Sequence, residues 1–206
     1  MHACRAISLL AVGIIRCSLM PPAAGDDRAA AIARLLDDAW SITPQARQAA
    51  DAQLPELRRL APTDVTALTA GWLVLMQQRR FEEAHALLDQ HLRHAPDDLL
   101  ALRAKAWIQT VLKNYPAAML TAERLSARLI SRPGADEGER ALQDASVSFL
   151  GRLLGYLAGP VDDAVPQLER RRLEKRFVDR LDEAERASFE EARNGVLAKF
   201  LELTDE

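Results

Sequence analysis

Residues 65–98 read VTALTAGWLVLMQQRRFEEAHALLDQHLRHAPDD. The stretch reads as two short helices folded back on each other and closed by Pro96. The chain from Leu99 reads as a second copy. Leu68 aligns with Leu102, Ala70 with Ala104, Arg79 with Lys113, Phe81 with Tyr115, Ala84 with Ala118 and Leu88 with Ala122. Ala84 and Ala118 are small where antiparallel helices must approach, and Phe81 and Tyr115 fill the space beside a tight turn. The helices are separated by about two to five residues, which suits an αα-hairpin. A lone hairpin cannot bury its apolar face, so neighbours must stack on it.

The period of 34 residues and the residues Leu68, Leu75, Phe81, Ala84, Leu88 and Pro96 make this stretch resemble the tetratricopeptide repeat. In the second copy Leu102, Ala106, Tyr115, Ala118 and Ala122 fit, while Ile130 stands in place of the closing proline. Trp72 departs from the pattern, because a large ring occupies a small-residue position; spread helices or a shifted pairing would accommodate it. The resemblance implies an all-α fold, a short α-solenoid of antiparallel helix pairs. It also implies a concave groove offering Thr69, Leu73, Met76 and Gln77 from the first copy and Arg103, Trp107, Thr110 and Val111 from the second. Trp and Arg carry disproportionate binding energy at interfaces, so Arg103 and Trp107 form a candidate hot spot. A core role for Trp107 is the competing reading. Thr69 and Leu73 stand where some family members clamp a C-terminal carboxylate with basic and Asn residues.

Working outward, Arg28–Trp40 has helical spacing, and a second helix is expected from Pro44 to about Gln53, with a break at Leu54 before Pro55. Ala61-Pro62-Thr63-Asp64 resembles His94-Ala95-Pro96-Asp97 and marks a degenerate earlier unit. Beyond the second copy, SRPGADEGE (131–139) reads as an inserted loop. Val147, Leu150, Gly151 and Leu154 repeat the spacing of Leu102, Lys105, Ala106 and Gln109, which suggests a third unit. The tract from Phe149 to Pro160 is apolar enough for burial, and Gly151 and Gly155 permit close helix contact.

Residues 164–206 form a charged helical arm, set off from a repeat domain spanning 26–163. Its narrow apolar stripe, with Leu173, Phe177 and Leu181, suits a helix packed on the repeats or a coiled-coil arm able to form a homo-oligomer. Asn194-Gly195 is a candidate division. The basic run Arg170, Arg171, Arg172, Lys175, Arg176 and Arg180 reads as a solvated face balanced by Glu169, Glu174 and Asp179.

Residues 1–25 carry no acid, a basic residue at Arg5, an apolar run Ala6–Ile15 and a small-residue exit Pro21-Pro22-Ala23-Ala24-Gly25. That is the layout of a bacterial-type export signal, which would place the chain in the periplasm or cell envelope, or secrete it. An uncleaved anchor, a lipid-modified Cys17 and an ordinary cytoplasmic first helix are the alternatives. The apolar run is short for a bilayer. Cys4 and Cys17, the only cysteines, lie in this segment.

The chain is 49% hydrophobic and 28% charged, which is a globular balance. A net charge of −3 lacks the basic surplus of nucleic-acid binders. No nucleophile elbow, zinc-protease, phosphate-loop or dinucleotide motif is present. His85, His91 and His94 share one helix, with Asp97 and Asp98 beyond, on what reads as an exposed helix end. A metal needs three or four converging ligands, and cationic histidines also suit a helix C-terminus. The paired Asp162-Asp163 reads as a helix cap. The expected function is a non-catalytic scaffold for a protein or peptide partner, with no metal or other cofactor. An envelope-structural or oligomerising protein, or a ligand- or metal-binding helical enzyme domain around His85–His94, are the alternatives.

Overall fold

The computed structural model describes residues 43–60, 63–131, 137–158 and 167–204. These residues are helical with no strand, as the all-α reading expects. Their helices are α1 (Pro44–Leu60), α2 (Val65–Gln77), α3 (Phe81–His94), α4 (Leu99–Val111), α5 (Tyr115–Ser131), α6 (Glu137–Leu157), α7 (Gln167–Val178) and α8 (Glu183–Thr204). They fall into two compact units divided after Pro96, with α1–α3 in the first and α4–α8 in the second. The export segment 1–25, the helix expected over 28–40 and the Asp162-Asp163 cap lie outside the described residues.

In the first unit, Asp64 caps α2 by accepting from the Ala67 N–H at 3.0 Å. This supplies an acceptor for one of the donors that a helix start leaves unsatisfied. At the other end Arg79 sits in the left-handed region at φ 60°. Its N–H donates to Met76 O at 3.1 Å, and the Arg80 N–H donates to Leu75 O at 2.9 Å. These two bonds form a Schellman closure, which satisfies terminal carbonyls and turns the chain back. α3 therefore runs antiparallel to α2, bringing Leu87 to Gly71 and His91 to Trp72.

Trp72 is 1% exposed and donates its indole N–H to His91 Nδ1 at 3.4 Å. The two rings meet edge to face, with centroids 6.3 Å apart. Close approach is supplied one residue earlier. A Cβ at Gly71 would lie 3.0 Å from Leu87 Cδ1 and 3.1 Å from Leu54 Cδ2. The bulky ring is thus accommodated beside a glycine contact.

The break expected at Leu54 is absent: α1 continues from Pro44 to Leu60 with Pro55 inside it. An interior proline costs about 3 kcal/mol of helix stability. Leu54, 4% exposed and facing Gly71 of α2, offsets this by burial worth about 1.5–3 kcal/mol.

In the second unit, α4 and α5 reproduce the terminal features of α2 and α3 at 34 residues' distance. Asp98 accepts from the Ala101 N–H at 2.9 Å, Lys113 has φ 58°, and the closing bonds run from Lys113 N–H to Thr110 O at 3.0 Å and from Asn114 N–H to Gln109 O at 2.8 Å. Ala84 and Ala118 are both fully buried, as are Leu88 and Ala122. Within the α4–α5 pair, Thr121 donates to Gln109 Oε1 at 2.7 Å, a buried bond where the first copy has Leu75 and Leu87.

α6 supplies the third apolar set, with Val147, Leu150 and Leu154 buried. The acidic loop is shorter than 131–139, because Ser131 closes α5 and Glu139 lies inside α6, paired with Arg128 at 3.1 Å. Gly151 and Gly155 act as the sequence suggests. A Cβ on Gly151 would lie 2.4 Å from Phe189 O, and one on Gly155 2.8 Å from Arg193 O. The matched order of these contacts shows that α6 and α8 run in the same direction.

The carboxy-terminal segment divides at Asp179–Asp182 and not at Asn194-Gly195. A reciprocal capping box starts α8: Glu185 N–H donates to Asp182 Oδ1 at 2.9 Å, and Asp182 N–H donates to Glu185 Oε2 at 3.0 Å. Leu181, 7% exposed, anchors the turn before it. Gly195 sits inside α8 with nothing within 4 Å of a Cβ placed there. Of the two outcomes open for the stripe, Leu173, Phe177 and Phe189 are buried in this unit. The solvated reading of the basic run holds for Lys175, paired with Asp179 at 2.8 Å, but not for Arg170. Arg170 is 8% exposed and bonds Gln167 Oε1 at 2.9 Å and Glu174 Oε2 at 2.7 Å. Glu174 also receives Arg193 of α8, so one carboxylate ties α7 to α8.

Two substitution pairs test these contacts by urea unfolding. Gly151→Ala should destabilise by about 1–3 kcal/mol through overpacking against backbone, whereas Gly195→Ala should stabilise by about 0.5–1 kcal/mol through helix propensity. Lys113→Gly and Arg79→Gly should each stabilise by about 0.5–1 kcal/mol by relieving a left-handed residue of its Cβ. A loss in either would show that the side chain contributes more than the backbone strain.

Candidate binding surface

Arg103, Trp107, Thr110 and Val111 follow helical steps along one face of α4. Arg103, Trp107 and Thr110 are half-buried, and Val111 is 40% exposed. Of the two tryptophans among the described residues, Trp72 lies in the core and Trp107 keeps part of its surface in solvent. The Thr110 hydroxyl donates to Ala106 O at 2.9 Å, so its proton is committed to its own helix.

α6 packs against α4 and adds residues that the sequence reading assigned to a buried tract. Phe149 is half-buried, and Arg152 and Tyr156 are exposed. All three lie on one face of α6, whereas Gly151 and Gly155 lie buried against α8. The Arg103 guanidinium carbon stands 5.3 Å from the Phe149 ring centroid. Tyr156 bonds Tyr115, just past the end of α4. Arg103 early in α4 thus meets the middle of α6, and Tyr115, which opens α5 beyond the end of α4, meets its last turn. The two helices run in the same direction, with aromatic and basic side chains along both.

The electrostatics of this face are unbalanced. Burial lowers the Arg103 guanidinium to about 10, and the Arg152 charge acts in the same direction. Burial also lowers Arg152. The Arg103 Nε is buried without a hydrogen-bond partner. Among the described residues no carboxylate forms an ion pair with Arg103 or Arg152. Tyr156 is raised, chiefly by burial and then by Tyr115.

The other four predicted groove residues belong to the first unit. Thr69, Leu73, Met76 and Gln77 lie on α2 at helical steps, and all are half-buried. Thr69 turns toward its own hairpin: its hydroxyl donates to Val65 O at 2.8 Å and lies 3.4 Å from His91 Nδ1.

His91 is not at an exposed helix end but fully buried. The Trp72 indole N–H, which can only donate, faces the His91 Nδ1. His94 is exposed, and His85 lies 3.4 Å from Asp89. Among the described residues no three His, Cys, Asp or Glu side chains converge as a metal site. A shallow cleft lined by Glu123, Glu169, Arg172, Lys175, Arg176 and Asp179 has matched charges, with Arg176 on Glu123 at 3.4 Å.

Known proteins do not place this surface in a family. No family model, no curated protein and no solved structure matches the chain.

Arg103→Met keeps an apolar stem over Phe149 while removing a largely buried charge that pairs with no acid among the described residues. Urea unfolding should show unchanged stability or a gain of about 1 kcal/mol. A loss above about 1 kcal/mol would show that the charge is satisfied within the folded chain.

Proposed function

We propose that this chain is a non-catalytic helical-repeat scaffold that binds a protein or peptide partner through the face formed by α4 and α6. The observation that carries the reading is the run of accessible aromatic and basic side chains on that face, Arg103 and Trp107 with Phe149, Arg152 and Tyr156. Such side chains are enriched where interfaces concentrate their energy. The recurrence of the Asp64 and Asp98 caps and of the Arg79 and Lys113 turns at 34 residues supports a tetratricopeptide-like repeat. First helices of successive repeats would then present this face as a concave groove.

The order of residues 1–25 supports export to the periplasm or envelope. No helix among the described residues is long and apolar enough to cross a membrane. The oligomer alternative draws less support, since the apolar stripe of α7 and α8 is used inside the second unit.

A displayed random-peptide library selected on the full chain tests the reading. Enriched peptides should lose about tenfold or more in affinity with Trp107→Ala, as expected for a hot-spot aromatic. The variant should keep its helical circular dichroism. Equal affinity for wild type and variant would overturn the assignment of the face.

A further inference from the structure

We infer that Arg103 and Arg152 form a two-guanidinium site for a single carboxylate of a partner peptide, an Asp or Glu side chain or a free C-terminus. This inference rests on the peptide-binding reading of the α4–α6 face. The Arg152 charge acts on Arg103, and among the described residues neither side chain forms an ion pair with an acid. Arg103 is laid over the Phe149 ring, and Arg152 stands three residues further along the same face of α6. Stacking limits the rotation of the Arg103 guanidinium and so lowers the ordering cost of a planar contact. Its Nε has no partner. The contrast within the same unit is direct: Arg170 and Arg193 share Glu174, and Arg128 pairs with Glu139.

A carboxylate seated between the two arginines removes their mutual repulsion and accepts charge-assisted hydrogen bonds. The surroundings favour a peptide over a polyanion. Trp107, Val111 and Tyr156 offer apolar surface along the same face for the residues flanking the acid. Asp144 is exposed two turns before Arg152, and the whole chain carries −3, which opposes a dense anionic partner.

The test uses peptides enriched on the full wild-type chain, resynthesised with each acid replaced by its amide and with a free or amidated C-terminus. One carboxylate should prove essential, its neutralisation costing about tenfold or more in affinity. Arg152→Gln, at an exposed position, should weaken the acid peptide several-fold more than it weakens the neutral one. Arg103→Met should do the same, with Arg152→Gln guarding against any repacking around Phe149. Enriched peptides without an essential carboxylate would overturn the site while leaving peptide binding intact. So would equal weakening of acid and neutral peptides by Arg152→Gln. Displacement of the acid peptide by inorganic phosphate at equal concentration would assign the pair to free anions instead. A library with no enriched peptide would overturn the peptide-binding reading itself.

Discussion

A helix that ends leaves carbonyls without partners, and a chain that must return along the helix has few residues in which to satisfy them. Arg79 and Lys113 solve this by entering the left-handed backbone region, where their own N–H and that of the following residue reach back to the last turn. Neither residue is glycine, so each hairpin accepts backbone strain at its turn. The Asp64 and Asp98 caps settle the opposite ends. With both ends determined, the antiparallel pairs α2–α3 and α4–α5 follow, and the side chains that face each other are set by register. The pairs then differ in what they bury. The first holds Trp72 against His91; the second holds a Gln109–Thr121 hydrogen bond.

Within the second unit the charges sort into two groups with different physical consequences. Glu174 gathers Arg170 and Arg193 between α7 and α8, close to the glycines that let α8 lie against α6. Removing one partner there leaves a poorly solvated charge, so that network is structural in its effect. Among the described residues no such acid pairs with Arg103 or Arg152, and their face carries aromatic side chains at the same time. An interface tolerates that arrangement more readily than a core does, because a partner can complete what one chain leaves open.

Much of the fold was legible because helix periodicity, small residues and turn residues are local signals. The hairpins, the alanines at their crossings and the Gly151–Gly155 contact could all be read from spacing. The capping box at Asp182 and Glu185 is equally local, whereas Asn194-Gly195 has the residue types of a turn and lies inside a helix. An isolated glycine facing open space costs a helix little enough that flanking turns carry it. Pro55 misled for the opposite reason: its local penalty is real, and the burial of Leu54 offsets it. The proposed face was half legible. Arg103 and Trp107 stood out by residue type and repeat position, whereas Phe149, Arg152 and Tyr156 were hidden in a tract whose composition suggested burial.

The sequence alone determined an all-helical chain with two copies of a 34-residue hairpin, because caps and apolar periods act over a few neighbouring residues. Tertiary structure decided which side chains of each helix are covered. His91 goes inside beside Trp72, Arg170 goes inside beside Glu174, and Arg103 comes to rest on Phe149. Those outcomes depend on which helix lies against which, over separations of 19 to 46 residues in the cases of Trp72–His91 and Arg103–Phe149. Periodicity along one helix specifies its faces but not the neighbour that each face will meet.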